Sequence, residues 1–360
     1  MRLKKLQIKN FRNLNNVELT PVSGVNVIFG QNASGKTSLL ESIYYLSHLR
    51  SFRSKNINDI IQRDKEYLQL VSRITTKDNQ EIPLGVSRSK YKLEVRANKK
   101  PVKRVADIAS LFPVVSIHPD SYQLITGGPS ERRSYIDWGV FHVEHSFFKA
   151  WQRYRVALNQ RNAALKSKQE ASLCMLWDKE LAQSAEIIDQ LRKSYMMKLM
   201  PELQLLVDQF FPKQVIEFEY KRGWNNDEAL EDLLKANCQK DRFKGFTYYG
   251  PHRSDLVIRV DGYSAQNGIS RGQQKCLVAL LKLAQAKHYS QCSQLDCVLL
   301  YDDLPAELDS SRKELVLSVL SDMKIQLFLT SIEADQLDLS HWSEKRLFHV
   351  EQGILKSIKD

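Results

Sequence analysis

The segment GQNASGKT, residues 30–37, has the residue types and spacing of a phosphate-binding loop, G-x-x-x-x-G-K-[ST]. Gly30 and Gly35 allow a tight curl whose backbone N–H groups converge on phosphate oxygens. Lys36 adds a mobile cation, and the Thr37 hydroxyl can bind Mg²⁺. The predicted nucleotide-binding residues are therefore Gly30, Gln31, Asn32, Ala33, Ser34, Gly35, Lys36 and Thr37.

Two adjacent acids follow the apolar run 297–300. A buried strand that ends in paired acids is a Walker B motif. In such a motif Asp302 would hold Mg²⁺ through water, and Asp303 would orient and polarise the attacking water. An acidic turn can also simply cap a helix, but the phosphate-binding loop in the same chain favours catalysis. We predict hydrolysis of a nucleoside triphosphate with Mg²⁺, with Lys36 and Asp303 as catalytic residues and Thr37 and Asp302 as metal ligands. GTPases, kinases, helicases and transporter ATPases share such a loop, so these two motifs do not identify the nucleotide.

The segment ISRGQQK, residues 269–275, is a second place where an anion could bind. Ser270 and Gln273 have the spacing of a capping box, and a helical leucine pattern follows. Ser270, the N–H of Gly272 and the helix N-terminus would form an anion site. The order of S-x-G-Q, helix, Walker B strand and acidic turn resembles that of ATP-binding-cassette proteins. The resemblance implies that Ser270 and Gly272 bind the γ-phosphate held by a second subunit, in an ATP-dependent homodimer.

Hydrophobic periodicity predicts the elements that position these motifs. The apolar residues of 25–29 predict a strand before the loop, and residues 37–46 predict a helix after it. Alternation predicts strands with one polar face at Leu3, Leu6 and Ile8 and at Tyr91, Leu93 and Val95, followed by a turn at 98–101. Strand-like patterns return at 215–220 and 255–260, and Asp309 precedes a predicted helix.

From about residue 141 the apolar period becomes helical. One face carries Phe147, Trp151, Tyr154, Leu158 and Leu165. After a polar break at 166–172, a second face carries Trp177, Leu181, Ile188, Leu191, Tyr195 and Leu199. We predict an antiparallel hairpin with a helical core, whose second helix ends or kinks at Pro201 before a short third helix at 203–210.

The predicted fold class is α/β: a P-loop ATPase head of the ATP-binding-cassette type, with a mixed sheet flanked by helices and an inserted α-helical hairpin domain. Its N-terminal half, with the phosphate-binding loop, covers residues 1–138. The inserted helical domain covers 139–244, and the C-terminal half, with the signature and Walker B motifs, covers 245–360. A length of 360 residues agrees with about two domains.

Composition favours an anionic partner, because the net charge is +11 and the pI is about 9.2. No run approaches the roughly 18 apolar residues of a membrane helix, and the N-terminus lacks the apolar stretch of a signal peptide. We therefore expect a soluble cytoplasmic protein that binds nucleic acid. We expect no association with a membrane. The five cysteines contain no C-x-x-C pair, and the histidines form no metal cluster, so we expect reduced cysteines in apolar sites and no zinc.

Three further segments narrow the function. HPDSYQLITGGPSERRSYID at 118–137, GPHRSDL at 250–256 and the N-terminal LQIKNFRNL together resemble the RecF family of bacterial recombination-repair proteins. The resemblance runs through the whole chain and includes the paired Arg132 and Arg133. It implies a weak, DNA-stimulated ATPase used as a switch in gap repair and replication-fork maintenance, associated with the nucleoid. It also implies RecO and RecR as partners, recombinase loading, SOS induction, and an insertion that is a shortened SMC-type arm.

The chain departs from related patterns at a few positions. Transporter cassettes usually have Glu at the position of Asp303 and His at that of Thr330, which follows a predicted strand at 326–329. The shorter carboxylate and the missing imidazole argue against fast turnover. Ser254 replaces a second acid found in many RecF-family members and receives no role. His118 and Gln123 both lie where a Q-loop would follow its strand, and the sequence does not choose between them.

Three other functions compete with that of an ATP-controlled protein acting where single-stranded gaps meet duplex DNA. An SMC-like head with another chromosomal task is disfavoured by an insertion of only about a hundred residues. A transporter or signalling ATPase is disfavoured by the basic charge and the absence of a membrane-coupling segment. An interaction protein with a decayed site is disfavoured because Lys36, Asp302 and Ser270 are intact.

The segment 88–104 carries eight cations against the lone acid Glu94. They are Arg88, Lys90, Lys92, Arg96, Lys99, Lys100, Lys103 and Arg104. If Tyr91, Leu93 and Val95 occupy one face of a strand, Lys90, Lys92 and Arg96 share the other face and form a basic ridge. The ridge is either a solvated edge protected by lysines or a DNA-binding surface that includes Arg96, Lys99, Lys100 and Lys103. Arg50, Arg53 and Lys55 form a second candidate surface.

Overall fold

The structure is a computed structural model that describes residues 1–76, 78–167, 174–225, 227–307 and 309–358. The chain forms two compact units. The first unit consists of Met1–Ser121 and Lys275–Asp360, and the second of Tyr122–Gln274. These limits do not coincide with the segment boundaries predicted after residues 138 and 244. Residues 122–138 and 245–274 belong to the second unit, where Arg192 hydrogen-bonds to Asp137 and to Ser254.

In chain order the described strands are β1 (Arg2–Phe11), β2 (Leu14–Leu19), β3 (Val25–Phe29), β4 (Tyr67–Thr75), β5 (Glu81–Ser89), β6 (Leu93–Ala97), β7 (Lys100–Pro101), β8 (Val114–Ile117), β9 (Ile216–Lys221), β10 (Asp255–Val260), β11 (Tyr263–Ser264), β12 (Val298–Tyr301), β13 (Gln326–Ser331), β14 (Lys345–Glu351) and β15 (Ile354–Ile358). The described α-helices are Lys36–His48, Val105–Leu111, Gln123–Thr126, Pro129–Val143, His145–Lys166, Asp178–Phe210, Leu230–Ala236, Cys238–Lys244, Ala265–Gly268, Arg271–Ser293, Leu304–Glu307 and Ser310–Asp322.

A mostly parallel sheet carries the catalytic motifs in the first unit. Its order is β15-β14-β3-β13-β12-β8, and β14, β3, β13, β12 and β8 run parallel, with β15 antiparallel at one edge. The strands β12 and β13 are fully buried, as expected for a parallel sheet covered on both faces. β12 begins and ends one residue later than the predicted 297–300, and Tyr301 pairs with Leu329. β13 ends two residues later than the predicted 326–329, and Ser331 pairs with Phe29. The carboxyl ends of the parallel strands meet at one edge of this sheet.

An antiparallel sheet, in the order β2-β1-β4-β5-β6-β7, forms the second layer of the first unit. The pairing of β1 with β4 shifts register between Leu3 and Lys5. In a regular strand Leu3 would face away from Leu6 and Ile8, because side chains alternate between the two faces. The irregularity shifts this alternation by one residue, so all three side chains are fully buried. The predicted turn at 98–101 is confirmed as a tight hairpin, in which Asn98 and Lys99 have positive φ between β6 and β7.

One hydrophobic core joins the two sheets of the first unit around the helix Lys36–His48. Leu39 and Ile43 of this helix share the core with Leu6 of β1 and with Ile28 and Phe328 of the parallel sheet. The predicted helix at 37–46 is confirmed and is longer by one residue at its start and two at its end. The phosphate-binding loop connects β3 to this buried helix. Because the strand and the helix both pack in the core, their packing fixes the position of the loop.

The long helices His145–Lys166 and Asp178–Phe210 belong to the second unit. They are joined by ion pairs, including a pair between the fully buried Arg161 and Asp178 at 2.7 Å. Of the residues predicted for the helical core, seven are buried: Phe147, Tyr154, Leu165, Leu181, Ile188, Tyr195 and Leu199. The other four, Trp151, Leu158, Trp177 and Leu191, are half-buried, so the predicted core is confirmed in its larger part. From residue 168 on, the predicted polar break lies outside the described residues.

The prediction of a separate third helix was wrong. Asp178–Phe210 is one helix with Pro201 inside it. Proline removes one hydrogen bond, but Leu199, Leu203 and Leu206 are buried on both sides of it. Their burial favours continuation of the helix. The predicted strands near 215–220 and at 255–260 are confirmed as the antiparallel pair β9 and β10.

Other expectations concern cysteines and membranes. The thiols are free, and Cys174, Cys238, Cys276 and Cys297 are buried, whereas Cys292 is exposed and does not fill an apolar site. Across the described ranges, no group of three or more His, Cys, Asp or Glu side chains is arranged to hold a metal. In the same ranges, no helix combines the length and apolar character needed to cross a bilayer.

Candidate functional site

The backbone of residues 30–37 curls tightly between β3 and the helix Lys36–His48. Gly30 has φ +149°, and a Cβ there would lie 2.2 Å from the carbonyl oxygen of Val350, so only glycine fits. Gly35 has φ +123° at the helix N-cap. The first amides of the helix have no intrahelical acceptor. The Oγ of Ser34 is buried without a hydrogen-bond partner, so the curl offers unsatisfied donors to an anion.

Lys36 is held inside this curl. Its Nζ donates to the carbonyl oxygens of Gly30, at 2.6 Å, and Gln31, at 3.1 Å. Burial lowers the pKa of Lys36, while the charges of Asp303 and Asp302 oppose the shift. The ammonium group therefore lies at the loop, where a phosphate could replace the carbonyl contacts with charge-assisted hydrogen bonds.

Asp302 faces the loop from the end of β12. Its carboxylate accepts hydrogen bonds from the Thr37 hydroxyl, at 2.9 Å, and from the Thr330 hydroxyl, at 2.7 Å. Burial raises the pKa of Asp302, and the hydrogen bonds from Thr330 and Thr37 oppose this shift. A hydroxyl beside a carboxylate provides the oxygen ligands that Mg²⁺ prefers. The donor set thus fits the predicted roles of Thr37 and Asp302.

Thr330 joins the two acids. Its hydroxyl donates to Asp302 and accepts from the backbone N–H of Asp303 at 2.6 Å. Asp303 has φ +57°, a left-handed conformation that is uncommon outside glycine. From the sequence, Thr330 was noted only as a replacement for histidine. Thr330 lies at the carboxyl end of β13, and the two acids lie at the carboxyl end of the neighbouring β12. Because parallel strands bring their carboxyl ends together, this position was the signal that could have assigned Thr330 to the site.

A cavity of about 650 Å³ in the first unit brings these groups together, and its size is within the usual range for ligand sites. Its lining includes Lys36, Thr37, Asp302, Asp303 and Thr330. Three arginines that sequence analysis did not assign to the site also line it: Arg12, Arg53 and Arg63. Together with Lys36, these arginines make the cavity suitable for a polyphosphate.

Arg12 is fixed by a buried partner. Its guanidinium makes two hydrogen bonds, at 2.8 and 2.7 Å, to Glu41, whose side chain is fully buried in the helix after the loop. Arg53 also lies 3.6 Å from Glu41, measured between Nη1 and Oε2. A carboxylate that is buried in the helix Lys36–His48 needs a cation beside it. Glu41 in this predicted helix was therefore the signal from which a partner arginine could have been expected.

Ser270 and Gly272 belong to the second unit. The predicted capping box is confirmed: the Ser270 N–H donates to Gln273 Oε1 at 3.0 Å, and the Gln273 N–H donates to Ser270 Oγ at 3.3 Å. A Cβ added at Gly272 would meet no atom within 4 Å. Because packing within the chain does not require glycine there, the role of Gly272 toward an external phosphate stays a prediction.

The two Q-loop candidates have different surroundings. His118 follows β8, its ring stacks on Phe52 with centroids 4.4 Å apart, and burial lowers its pKa to about 3. Gln123 is exposed at the start of the helix Gln123–Thr126 in the second unit. Pro119, next to His118, lines the cavity. The assignment of the Q-loop stays open.

The paired arginines 132 and 133 connect the two characteristic segments of the second unit. Arg132 makes two hydrogen bonds to Asp255, at 2.7 and 3.0 Å. Arg133 donates to the carbonyl oxygen of Ser254 at 2.9 Å. The Ser254 hydroxyl, for which no role was predicted, accepts from Arg192 at 2.8 Å. These polar residues therefore support the fold of the second unit.

Of the basic ridge, only Arg96 lies in β6, near the edge of the antiparallel sheet. Lys90 and Lys92 precede this strand, so the prediction that they share a strand face with Arg96 was wrong. Val95 is buried, and Leu93, two positions away in β6, lies on the same face as predicted and is 38% exposed. The prediction that Tyr91 shares this face was wrong, and its side chain is 88% exposed. The strand begins only at Leu93, so Tyr91 lies in the preceding bend. The predicted DNA-binding cations are exposed: Arg96, Lys99, Lys100 and Lys103. Exposure agrees with either interpretation of the ridge.

The chain is similar to known proteins over its full length. A family model described as the RecF/RecN/SMC N-terminal domain matches residues 2–356. The DNA replication and repair protein RecF of Thioalkalivibrio sulfidiphilus (strain HL-EbGR7) is 38% identical over 357 residues, with 99% of each chain covered. That of Aliivibrio fischeri (strain ATCC 700601 / ES114) is 39% identical over 354 residues, covering 98% of this chain and 99% of the relative.

Solved structures agree with this similarity. The structure of the recombination mediator protein RecF-ATP in the RecFOR pathway matches with a TM-score of 0.89 and 27% identity, covering 99% of this chain and 97% of that one. The Smc head domain from Pyrococcus furiosus, bound to the C-terminal domain of ScpA, matches with a TM-score of 0.61 at 15% identity. The chain therefore has the fold of RecF and SMC-head ATPases, with mixed sheets flanked by helices.

Proposed function

Because this chain belongs to the RecF family, we propose that it is an ATP-dependent DNA-binding protein of recombinational gap repair and replication-fork maintenance. The observation that carries the proposal is the convergence of Lys36, Thr37, Asp302 and Asp303 on one cationic cavity. The proposed place of action is the cytoplasm, in association with the nucleoid.

Each residue of the cavity has a proposed task in binding and hydrolysing ATP. The amides of the loop and Lys36 bind the phosphates, and Thr37 and Asp302 hold Mg²⁺. When bound, Mg²⁺ neutralises charge on the phosphate oxygens. Asp303 orients and polarises the attacking water, and Thr330 holds both acids in place. The carboxylate of Asp303 is one methylene shorter than the glutamate of transporter cassettes, which supports slow hydrolysis. That DNA stimulates this hydrolysis, and that it serves as a conformational switch, is proposed from membership of the RecF family.

We propose that ATP, more than ADP, closes a homodimer through Ser270 and Gly272. Ser270 lies at the N-terminus of the 23-residue helix Arg271–Ser293, where the dipole favours an anion. The γ-phosphate is the group that hydrolysis removes, so recognition of this group links the dimer to nucleotide state.

Ser270→Arg is expected to bind ATP as the parent does and to remain monomeric, because the larger side chain obstructs the approaching nucleotide. Sedimentation velocity with no nucleotide, ADP or ATP, each with and without duplex DNA, measures the dimer fraction. Ser264→Arg is the matched control, since it places the same charge at an exposed site of the same unit. Equal dimer fractions for Ser270→Arg and the parent would contradict the proposed interface.

The proposed partners are single-stranded and duplex DNA, their junctions, and RecO and RecR. The RecFOR pathway named for the related RecF-ATP structure supports the last two. Loading of recombinase and induction of the SOS response are the proposed consequences at a gap. The net charge of +11 supports binding to a polyanion.

Replacing Lys99, Lys100 and Lys103 together with Glu is expected to weaken duplex binding and leave ATP binding unchanged. The salt slope should fall by roughly 0.9 for each phosphate that the variant no longer neutralises. Fluorescence anisotropy across a salt series measures both quantities. The matched control is Lys65→Glu/Lys324→Glu/Lys356→Glu, which makes the same net charge change at exposed positions of the same unit. If the ridge variant retains both affinity and slope, the ridge is a solvated edge, and Arg50, Arg53 and Lys55 become the next candidates.

A further inference from the structure

The second unit exposes aromatic and basic side chains along one short stretch of sequence. We name it the 240–253 platform: Phe246, Tyr248 and Arg253 contact one another or Lys244, and Lys240 and Phe243 lie on the helix that ends at Lys244. Phe243 is 94% exposed, Tyr248 is 46% exposed and Phe246 is 37% exposed. Leaving large apolar side chains in water forgoes the stabilisation that their burial would provide, so neighbouring exposed aromatics indicate a binding surface.

Cations of the platform lie over its rings. The guanidinium carbon of Arg253 is 5.1 Å from the ring centroid of Phe246 and 5.6 Å from that of Tyr248. The Nζ of Lys244 is 4.5 Å from the Tyr248 centroid. All three distances fall within the range of about 6 Å for cation–π contacts. The platform therefore combines flat apolar faces with positive charge.

The charge that the platform presents to solvent is positive. The only acid between residues 240 and 253 is Asp241. Asp241 is buried, and its Oδ2 pairs with the fully buried Arg161 at 2.6 Å. Its charge is therefore neutralised inside the unit, whereas Lys240, Lys244 and Arg253 are exposed.

Partly buried hydrogen bonds fix the backbone that carries the platform. The Thr247 N–H donates to Asn162 at 2.8 Å, and the Tyr248 N–H donates to Asp241 at 3.2 Å. His252 bonds to the carbonyl oxygen of Thr247 and to the hydroxyl of Tyr154. Burial lowers the pKa of His252 to about 4, so its ring is neutral near pH 7 and can donate to Thr247 while accepting from Tyr154. The GPHR motif thus supports a preorganised surface.

We infer that the 240–253 platform binds single-stranded DNA, with bases stacked on Phe243 and Tyr248 and phosphates beside Lys240, Lys244 and Arg253. The inference rests on the proposed DNA function and adds the place where the single strand is held. Exposed aromatic faces can stack on unpaired bases, whereas the bases of a duplex are already stacked on one another. The combination of ring faces with cations therefore favours single-stranded over double-stranded DNA.

The test uses the full chain with Mg-ATP and fluorescence anisotropy of labelled oligothymidylate and of a duplex of the same length. Phe243→Leu/Tyr248→Leu keeps apolar side chains but removes the ring faces. We expect single-strand affinity to fall about tenfold for each base that no longer stacks, with duplex affinity changed less than about twofold. The salt slope should stay unchanged, because every cation that faces a phosphate is retained. Tyr263→Leu removes an exposed ring of the same unit outside the platform and should bind both DNAs as the parent does.

The outcomes separate this inference from the proposed function. If the parent binds neither DNA, the proposed function fails. If the parent binds oligothymidylate and the double variant binds it equally well, only the platform inference fails. Equal losses of affinity for single strand and duplex would also overturn the platform inference. Competition by polyglutamate as strong as that by unlabelled oligothymidylate would do the same, since the surface would then recognise charge alone. Unchanged thermal unfolding and ATP-dependent sedimentation of the double variant verify its fold.

Discussion

Lys36→Met is expected to lower the affinity for Mg-ATP by on the order of 100-fold, because the loop loses its only side-chain cation. Methionine has a similar length and keeps the apolar stem packed. The substitution removes the hydrogen bonds from Nζ to Gly30 and Gln31, but it keeps the two glycines with positive φ and the core packing of the helix, so the curl of the loop should persist. Isothermal titration calorimetry with ATP and Mg²⁺ measures the affinity, and thermal unfolding verifies the fold.

Lys36→Arg is the matched control for charge. Its planar guanidinium keeps the positive charge but not the geometry of the ammonium, so nucleotide binding should survive in part while hydrolysis is lost. The methionine variant should also lose the response of DNA binding to ATP. Undiminished ATP-dependent DNA binding by Lys36→Met would exclude this loop as the switch.

Asp303→Asn is expected to slow ATP hydrolysis by roughly 10²- to 10⁴-fold, the usual contribution of a residue that activates the nucleophile. Mg-ATP binding should be unchanged, because Thr37 and Asp302 remain. The backbone N–H of residue 303 can still donate to Thr330. Phosphate release under single-turnover conditions measures the chemical step. The slower step should also prolong the ATP-bound dimer, which sedimentation detects.

Asp302→Asn separates the metal-binding role from the water-polarising role. The amide weakens Mg²⁺ binding, so this variant should need more Mg²⁺ for half-maximal ATP binding, whereas Asp303→Asn should not. Hydrolysis at the parent rate by Asp303→Asn would assign water activation to another residue of the cavity. An identical Mg²⁺ requirement in the two variants would contradict the division of roles between the acids.

Local patterns were sufficient for much of the fold. The run at 25–29 predicted β3, and the loop and helix follow it as expected. Asp309 caps the helix Ser310–Asp322, its side chain accepting from the Arg312 N–H at 2.9 Å. The capping box of Ser270 and Gln273 also formed as expected. These features depend on residues within a few positions of each other, where backbone geometry restricts the outcome.

Contacts between distant segments limited the other predictions. A separate short helix was expected after Pro201, but one helix continues through the proline, with buried leucines on both sides of it. Alternation placed Tyr91, Leu93 and Val95 on one strand face, yet the strand starts only at Leu93, and its place near the sheet edge leaves Leu93 38% exposed. Alternation identifies which side chains share a face of a strand. Whether that face is buried depends on which other elements pack against it.

For the candidate site, the amino-acid sequence was enough to identify the reacting groups, since the loop and the paired acids are short motifs whose spacing follows from phosphate and metal chemistry. Folding supplied what surrounds them. Thr330 meets Asp302 across 28 positions of sequence, and Arg12 meets the buried Glu41 across 29. Such contacts depend on strand order and on which side chains share a buried space. No local pattern encodes them, because they form only when the sheets and the loop helix pack around one core.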